Sequence, residues 1–257
     1  ALPRRAQDQV PVNRPFDSRA WRATAVGIAA AATLWMGAGF VLGVNPDEEE
    51  YRSAIPSTLL AARALAHGGF AFWTSDVALG VPQPFAQSLW MHPLMPLLAV
   101  LSVPVWVTLF YVVHLLLAAA GTWALARRLG ASSLSTSMAV ATFVMASPAQ
   151  NYALTDFWPT VWLVYATVPL LLLALLTLLA AESPRPRLKA ACGVGLTAGL
   201  IGANGHQGNL IVYIVPILAF LAMHARAVVR DWPWWLLAAI VAVLVAAPTI
   251  PHLAVEA

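Results

Sequence analysis

Apolar runs close to 20 residues long recur along this chain, each closed by a polar or basic stretch. At 1.5 Å of rise per residue, about 20 apolar residues is the length a helix needs to cross a bilayer. The first run, Ala23 to Val44, sets the frame for the rest. It opens directly into Asn45-Pro46-Asp47-Glu48-Glu49-Glu50-Tyr51, which holds four of the chain's eleven acidic residues. A charged side chain in hydrocarbon costs ~2.5–3.5 kcal/mol even on the lenient insertion scale. The cluster therefore belongs in water, just outside the membrane. A carboxylate there serves as a catalytic base, a cation ligand or a plain solvated turn, and the cluster alone leaves all three open.

Composition agrees with a membrane-embedded class. The chain is 60% hydrophobic and 10% charged, where soluble domains carry about 25% charged residues. The alternating ~10-residue pattern of a membrane barrel is absent. The expected fold is all-α, a polytopic transmembrane helical bundle of about seven spans. The single Cys192 excludes an intrachain disulfide. The first run is too long for a signal-peptide core and is read as retained. The chain opens without Met and closes at Ala257 just after an apolar run, as a piece of a longer protein would.

Residues 1–21 form a basic tail with Arg4, Arg5, Arg14 and Arg19, cytoplasmic by the positive-inside rule rather than an arm for nucleic acid. Residues 22–250 make the transmembrane domain, and 251–257 an external tail. Within it, residues 45–104 are a structured first external loop. Ile55, Leu59 and Ala62 fall at helical spacing, which predicts a surface amphipathic helix over residues 53–67, stopped by Gly68-Gly69. Aromatics mixed with Pro, Gln and Gly follow to Gln87, suiting an ordered loop at headgroup level. Leu89–Val103, interrupted by Pro93 and Pro96, is too short to span and reads as re-entrant or interfacial.

The remaining spans are expected at 105–126, 134–147, 161–181, 190–203, 210–223 and 232–247. Basic groups at Arg127-Arg128, Arg185-Arg187-Lys189 and Arg226-Arg230 all fall on the cytoplasmic side of that threading. The Gly- and Ala-rich stretch 190–203 suits close helix packing.

The same threading sends Asp47, Glu48, Glu49, Glu50, Asp76, Asp156, His92 and His206 to the external face. A site of acids and histidines at the outer helix ends is one reading, and polar loops in water is the other. Asp47, at a helix end, and Asp156, the only charge between Arg128 and Glu182, favour the first. Glu49 and Glu50 suit the start of the surface helix, where the dipole favours acids. Asp76 admits either reading. His206, in the Gly-rich loop Asn204–Asn209 with Gln207, is a substrate-binding candidate. His114, mid-span, reads as packed and hydrogen-bonded. No HExxH or CxxC spacing, phosphate-binding P-loop or GxSxG elbow occurs, so a nucleotide-dependent cytosolic enzyme has no support.

The order of features also resembles a known family. A first span is followed by an acidic motif with a surface helix, then Trp73…Asp76…Leu79-Gly80-Val81-Pro82-Gln83. A span ending Ala-Leu-Ala-Arg-Arg-Leu-Gly, a short span and an Asp in the second external loop come next. Over roughly residues 20–225 this resembles the membrane-embedded GT-C glycosyltransferases, most of all the YfhO-like proteins and actinobacterial arabinofuranosyltransferases. The resemblance implies sugar transfer from a polyprenyl-phosphate donor at the outer face of a bacterial inner membrane. It implies that Asp47 or Glu48 acts as catalytic base and that Asp156 helps bind substrate or a divalent cation (Mg or Mn) shared with Asp47. Arg52 and Arg63 are the nearest cations for the departing lipid phosphate, and the remaining expected partners are membrane lipids and neighbouring membrane subunits. A rival from another class is a non-catalytic subunit that keeps a GT-C-like scaffold within a larger complex. A transporter is a third reading, weakened because no acid lies mid-span.

Overall fold

The computed structural model describes residues 19–41, 73–74, 81–82, 92–146, 159–204 and 207–247. They form eight α-helices: α1 (Arg19–Val41), α2 (Val103–Arg128), α3 (Ser133–Met145), α4 (Pro159–Ala180), α5 (Pro184–Asn204), α6 (Gln207–Met223), α7 (Ala225–Arg230) and α8 (Trp232–Ala246). Each of the seven apolar stretches expected as spans coincides with a helix. Two, Val105–Arg128 and Thr160–Ala180, are long and apolar enough to cross a membrane. By contrast, α3, α6 and α8 have only 13, 17 and 15 residues. A minimal antiparallel pair, β1 (Trp73–Thr74) with β2 (Val81–Pro82), lies where the aromatic loop was expected. The expected surface helix over 53–67 lies outside the described residues.

Two boundaries differ from expectation. α5 begins at Pro184, so Arg185, Arg187 and Lys189 stand on its first turns rather than in a loop. Proline at a helix's first position loses no bond, because that N–H has no intrahelical partner in any case. The Asn204–Asn209 loop also shrinks. α5 runs through Asn204 and α6 resumes at Gln207, so Gln207 opens a helix instead of lying in an extended loop.

The turn between α2 and α3 shows how local sequence sets direction. Gly130 takes φ +82°, the left-handed region that glycine reaches at little cost. Its N–H donates to the Arg127 carbonyl and the Ala131 N–H to the Ala126 carbonyl, closing a Schellman motif. The Ser132 hydroxyl then accepts from the Ser135 N–H and starts α3. The chain thus reverses within four residues, 129–132, and α3 packs back along α2.

Helix directions follow from paired contacts. Tyr111 meets Trp162, and further along Gly121 meets Leu170, so α2 and α4 run parallel. Phe143, near the end of α3, stacks on Tyr165, near the start of α4. α5 returns against α4, with Gly193 beside Ala174. α5 and α8 are parallel, Gly195 meeting Ala238 and Val241 while Gly199 meets Ala242 and Val245. α1 buries Ala25, Ala29, Ala32 and Met36, a single stripe at helical spacing, and packs on α3 and α2.

One consequence is a polarised bundle. The carboxyl ends of α2 and α4 and the amino ends of α5 and α8 share one end. Arg127, Arg128, Arg185, Arg187, Lys189 and Arg230 therefore gather there. Arg187 bridges to Asp231 at 3.0 Å, tying the first turns of α5 to the α7–α8 junction. Hydrogen bonding from Arg230, foremost, and the charge of Arg187 hold the Asp231 carboxyl below the ordinary carboxylate range, so it is ionised at neutral pH.

Candidate functional site

The opposite half of the bundle is built from aromatic and imidazole rings. Ring contacts run from His92 through Phe110 (centroids 5.0 Å apart) to Tyr111, Trp162 and Tyr165, ending on Phe143 at 4.4 Å. Phe110, Tyr111 and Trp162 are buried, as is Trp106, which stacks on Phe110. Such ring pairs contribute roughly 0.5–1.5 kcal/mol each beyond burial of area. The run joins segment 92–101, α2, α4 and α3. The Tyr165 hydroxyl donates to the Phe143 carbonyl at 2.7 Å, satisfying one of the carbonyls that α3 leaves unbonded in its last turn.

At one end of the run lie two buried histidines. His92 Nε2 and His114 Nε2 are 3.2 Å apart. The Leu94 N–H can only donate, so His92 Nδ1 accepts from it at 3.2 Å. Neutral His92 then carries its proton on Nε2 and donates to His114 Nε2. The other nitrogen, His114 Nδ1–H, donates to the Phe110 carbonyl at 2.7 Å. All four ring nitrogens are engaged, and the chemistry of the two outer partners fixes one tautomer for each ring. A further proton on this pair would set two N–H donors head to head.

Segment 92–101 is held against α2 by more than this pair. Its short 3-10 turn, Met95–Ala99, buries Met95 and Leu98, and Trp106 Nε1 donates to the Leu94 carbonyl at 2.8 Å. His114 sits roughly three turns into α2, about 16 Å along its axis. His92 therefore reaches deep beside the helix. It is only 6% exposed, packed inside the bundle rather than carried in a polar loop. The reason is the hydrogen-bonding need of His114, which an apolar helix cannot meet with its own side chains. The expectation that His114 is packed and hydrogen-bonded agrees with the structure. Its partner, 22 residues upstream, has no signal in local periodicity; two histidines in neighbouring apolar stretches are the only hint the sequence offers.

Of the residues singled out from sequence, Asp47, Glu48, Arg52, Arg63, Asp76, Asp156 and His206 lie outside the described residues, and Gln207 heads α6. The helix ends that flank several of them are described. Met145 and Pro159 bracket the segment carrying Asp156, and Asn204 and Gln207 bracket His206. Both pairs of ends lie at the aromatic end, as does the start of α2. Among the described residues no three His, Cys, Asp or Glu side chains gather as a metal centre requires. The acids expected to hold a cation, Asp47 and Asp156, are not among those residues.

The fold and ring cluster define an all-helical bundle with two helices able to cross a membrane. No family model, curated protein or solved structure matches the chain.

Proposed function

We propose that this chain is a multi-pass membrane protein of the bacterial inner membrane and a GT-C-type glycosyltransferase working at the non-basic end of its bundle. In this reading all seven long helices cross the bilayer, the shorter ones where the protein or local thinning relieves the mismatch. Support comes from the surface: Leu34 and Trp35 are 72% and 73% exposed and Leu244 67%, apolar contacts that suit acyl chains. The gathering of arginines and lysine at one end supports a cytoplasmic orientation for that end.

The observation that carries the catalytic part is the sharing of one bundle end by the helix ends that bracket Asp156 and His206, beside the buried aromatic cluster. On this reading Asp47 joins them at the exit of α1. A sugar hydroxyl attacking an anomeric carbon must lose its proton, and the Asp47 carboxylate accepts it, with Glu48 as its neighbour. Arg52 and Arg63 neutralise the departing polyprenyl phosphate, while Asp76, Asp156, His206 and Gln207 orient the sugar. A divalent cation held by Asp47 and Asp156 would add electrostatic stabilisation of that phosphate.

The test is transfer from a polyprenyl-phosphate sugar by the full chain in proteoliposomes. Asp47→Asn keeps the shape and removes the base, so turnover is expected to fall at least ~10²-fold with folding intact. Asp156→Asn is expected to raise KM instead. Unchanged turnover in Asp47→Asn ends the catalytic assignment. One observation favours the second reading, a scaffold subunit: His92 and His114 spend every ring nitrogen internally, as a structural pair does.

A further inference from the structure

The basic end of the bundle holds a feature that sugar transfer does not use. A cleft of about 440 Å³ opens between the last turns of α4 and the first turns of α5. Its walls are apolar, formed by Leu170, Leu173, Ala174 and Gly193. Thr177 adds no free donor there, because its hydroxyl donates to the Leu173 carbonyl at 2.7 Å. Arg185 and Lys189, one helical turn apart on α5 and both exposed, also line it. Arg187 lies between them in sequence but is committed elsewhere, to Asp231 at 3.0 Å and to the Ala181 carbonyl at 2.8 Å.

A cleft whose walls are hydrocarbon and whose cations stand on a helix's first turns matches one amphiphile: an anionic headgroup with an acyl chain attached. We infer that this cleft binds one anionic phospholipid of the cytoplasmic leaflet, its phosphate on Arg185 and Lys189 and its chain between α4 and α5. The inference rests on the membrane reading given above. Its physics is the general one of basic pockets between membrane helices on the cytoplasmic side, and the cleft falls in the size range of about 300–1,000 Å³ typical of small-ligand sites. The glycine has a part in it. A Cβ on Gly193 would meet Ala174 Cβ at 3.6 Å, an ordinary contact, so a small residue is tolerated but a long side chain would fill the space.

The experiment is native mass spectrometry of the full chain released from vesicles of phosphatidylcholine with phosphatidylglycerol. Wild-type protein is expected to retain one phosphatidylglycerol in preference to phosphatidylcholine. The double variant Arg185→Gln/Lys189→Gln is expected to lose that retention by tenfold or more, and Gly193→Leu to lose it with both charges present. Arg226→Gln, the same type of charge change on α7, is expected to leave it intact. Equal retention of the two lipids, or retention unchanged in the double variant, overturns the site. An alkaline carbonate wash of the membranes separates the two failures. Protein that washes off overturns the membrane reading and the lipid site together, whereas protein that stays but shows no phosphatidylglycerol preference overturns the lipid site alone.

Discussion

At the scale of single residues, the His92–His114 pair is a buried polar constraint on how segment 92–101 docks. Each ring satisfies the other where both are buried, and a buried donor left without a partner costs about 1–3 kcal/mol. His114→Ala strands the His92 Nε2–H, and His92→Ala strands the His114 Nε2 acceptor. Each single variant is expected to lower thermal stability in detergent. The double variant is expected to fall less than the two losses combined, with a coupling of roughly 0.5–3 kcal/mol. Additive losses would mean that the two rings do not depend on each other. Of this site, the sequence made legible the confinement of His114, since an imidazole inside an apolar run needs a partner. It did not make legible which residue supplies it, because a contact across 22 positions depends on how segment 92–101 folds back.

At the scale of elements, the α5–α8 contact shows what a glycine-rich helix allows. A Cβ at Gly195 would sit 2.6 Å from the Ala238 carbonyl oxygen and 2.6 Å from Val241 Cβ, and one at Gly199 would sit 2.7 Å from Val245 Cβ. The backbones approach so closely because these two positions, one turn apart, carry no side chain. Gly195→Ala and Gly199→Ala are each expected to cost about 1–3 kcal/mol by overpacking. Gly202→Ala, where nothing lies within 4 Å, is expected to be neutral or to gain a few tenths of a kcal/mol from helix propensity. Melting of the three variants in detergent checks the contrast, and equal melting of all three would mean the contact is looser than the structure has it. Small residues at helical spacing are visible in the sequence. That α8 is the helix they meet is not, because any apolar helix of the bundle could in principle fill that groove.

At the scale of the whole molecule, the basic residues of α2, α5 and α7 come from separate parts of the chain and reach one end because of how the helices pack. Orientation in a bilayer is checked by cysteine labelling in a Cys192→Ser background. Reagent added outside is expected to reach Gln83→Cys and Gln150→Cys and to miss Arg128→Cys. Labelling of Arg128→Cys from outside would invert the bundle and move the proposed catalytic end to the cytoplasm.

The sequence by itself determined the all-helical class and the place of each long helix, apart from the early start of α5 at Pro184. These depend on local terms: apolar run length, proline and glycine stereochemistry and side-chain capping. The tertiary structure alone decided that α5 runs parallel to α8, that His92 turns inward and that the rings from Phe110 to Phe143 form one cluster. It also decided that Arg187 is taken by Asp231 while Arg185 and Lys189 face the α4–α5 cleft. Those outcomes depend on which faces meet, and a face has no partner until the helices are packed.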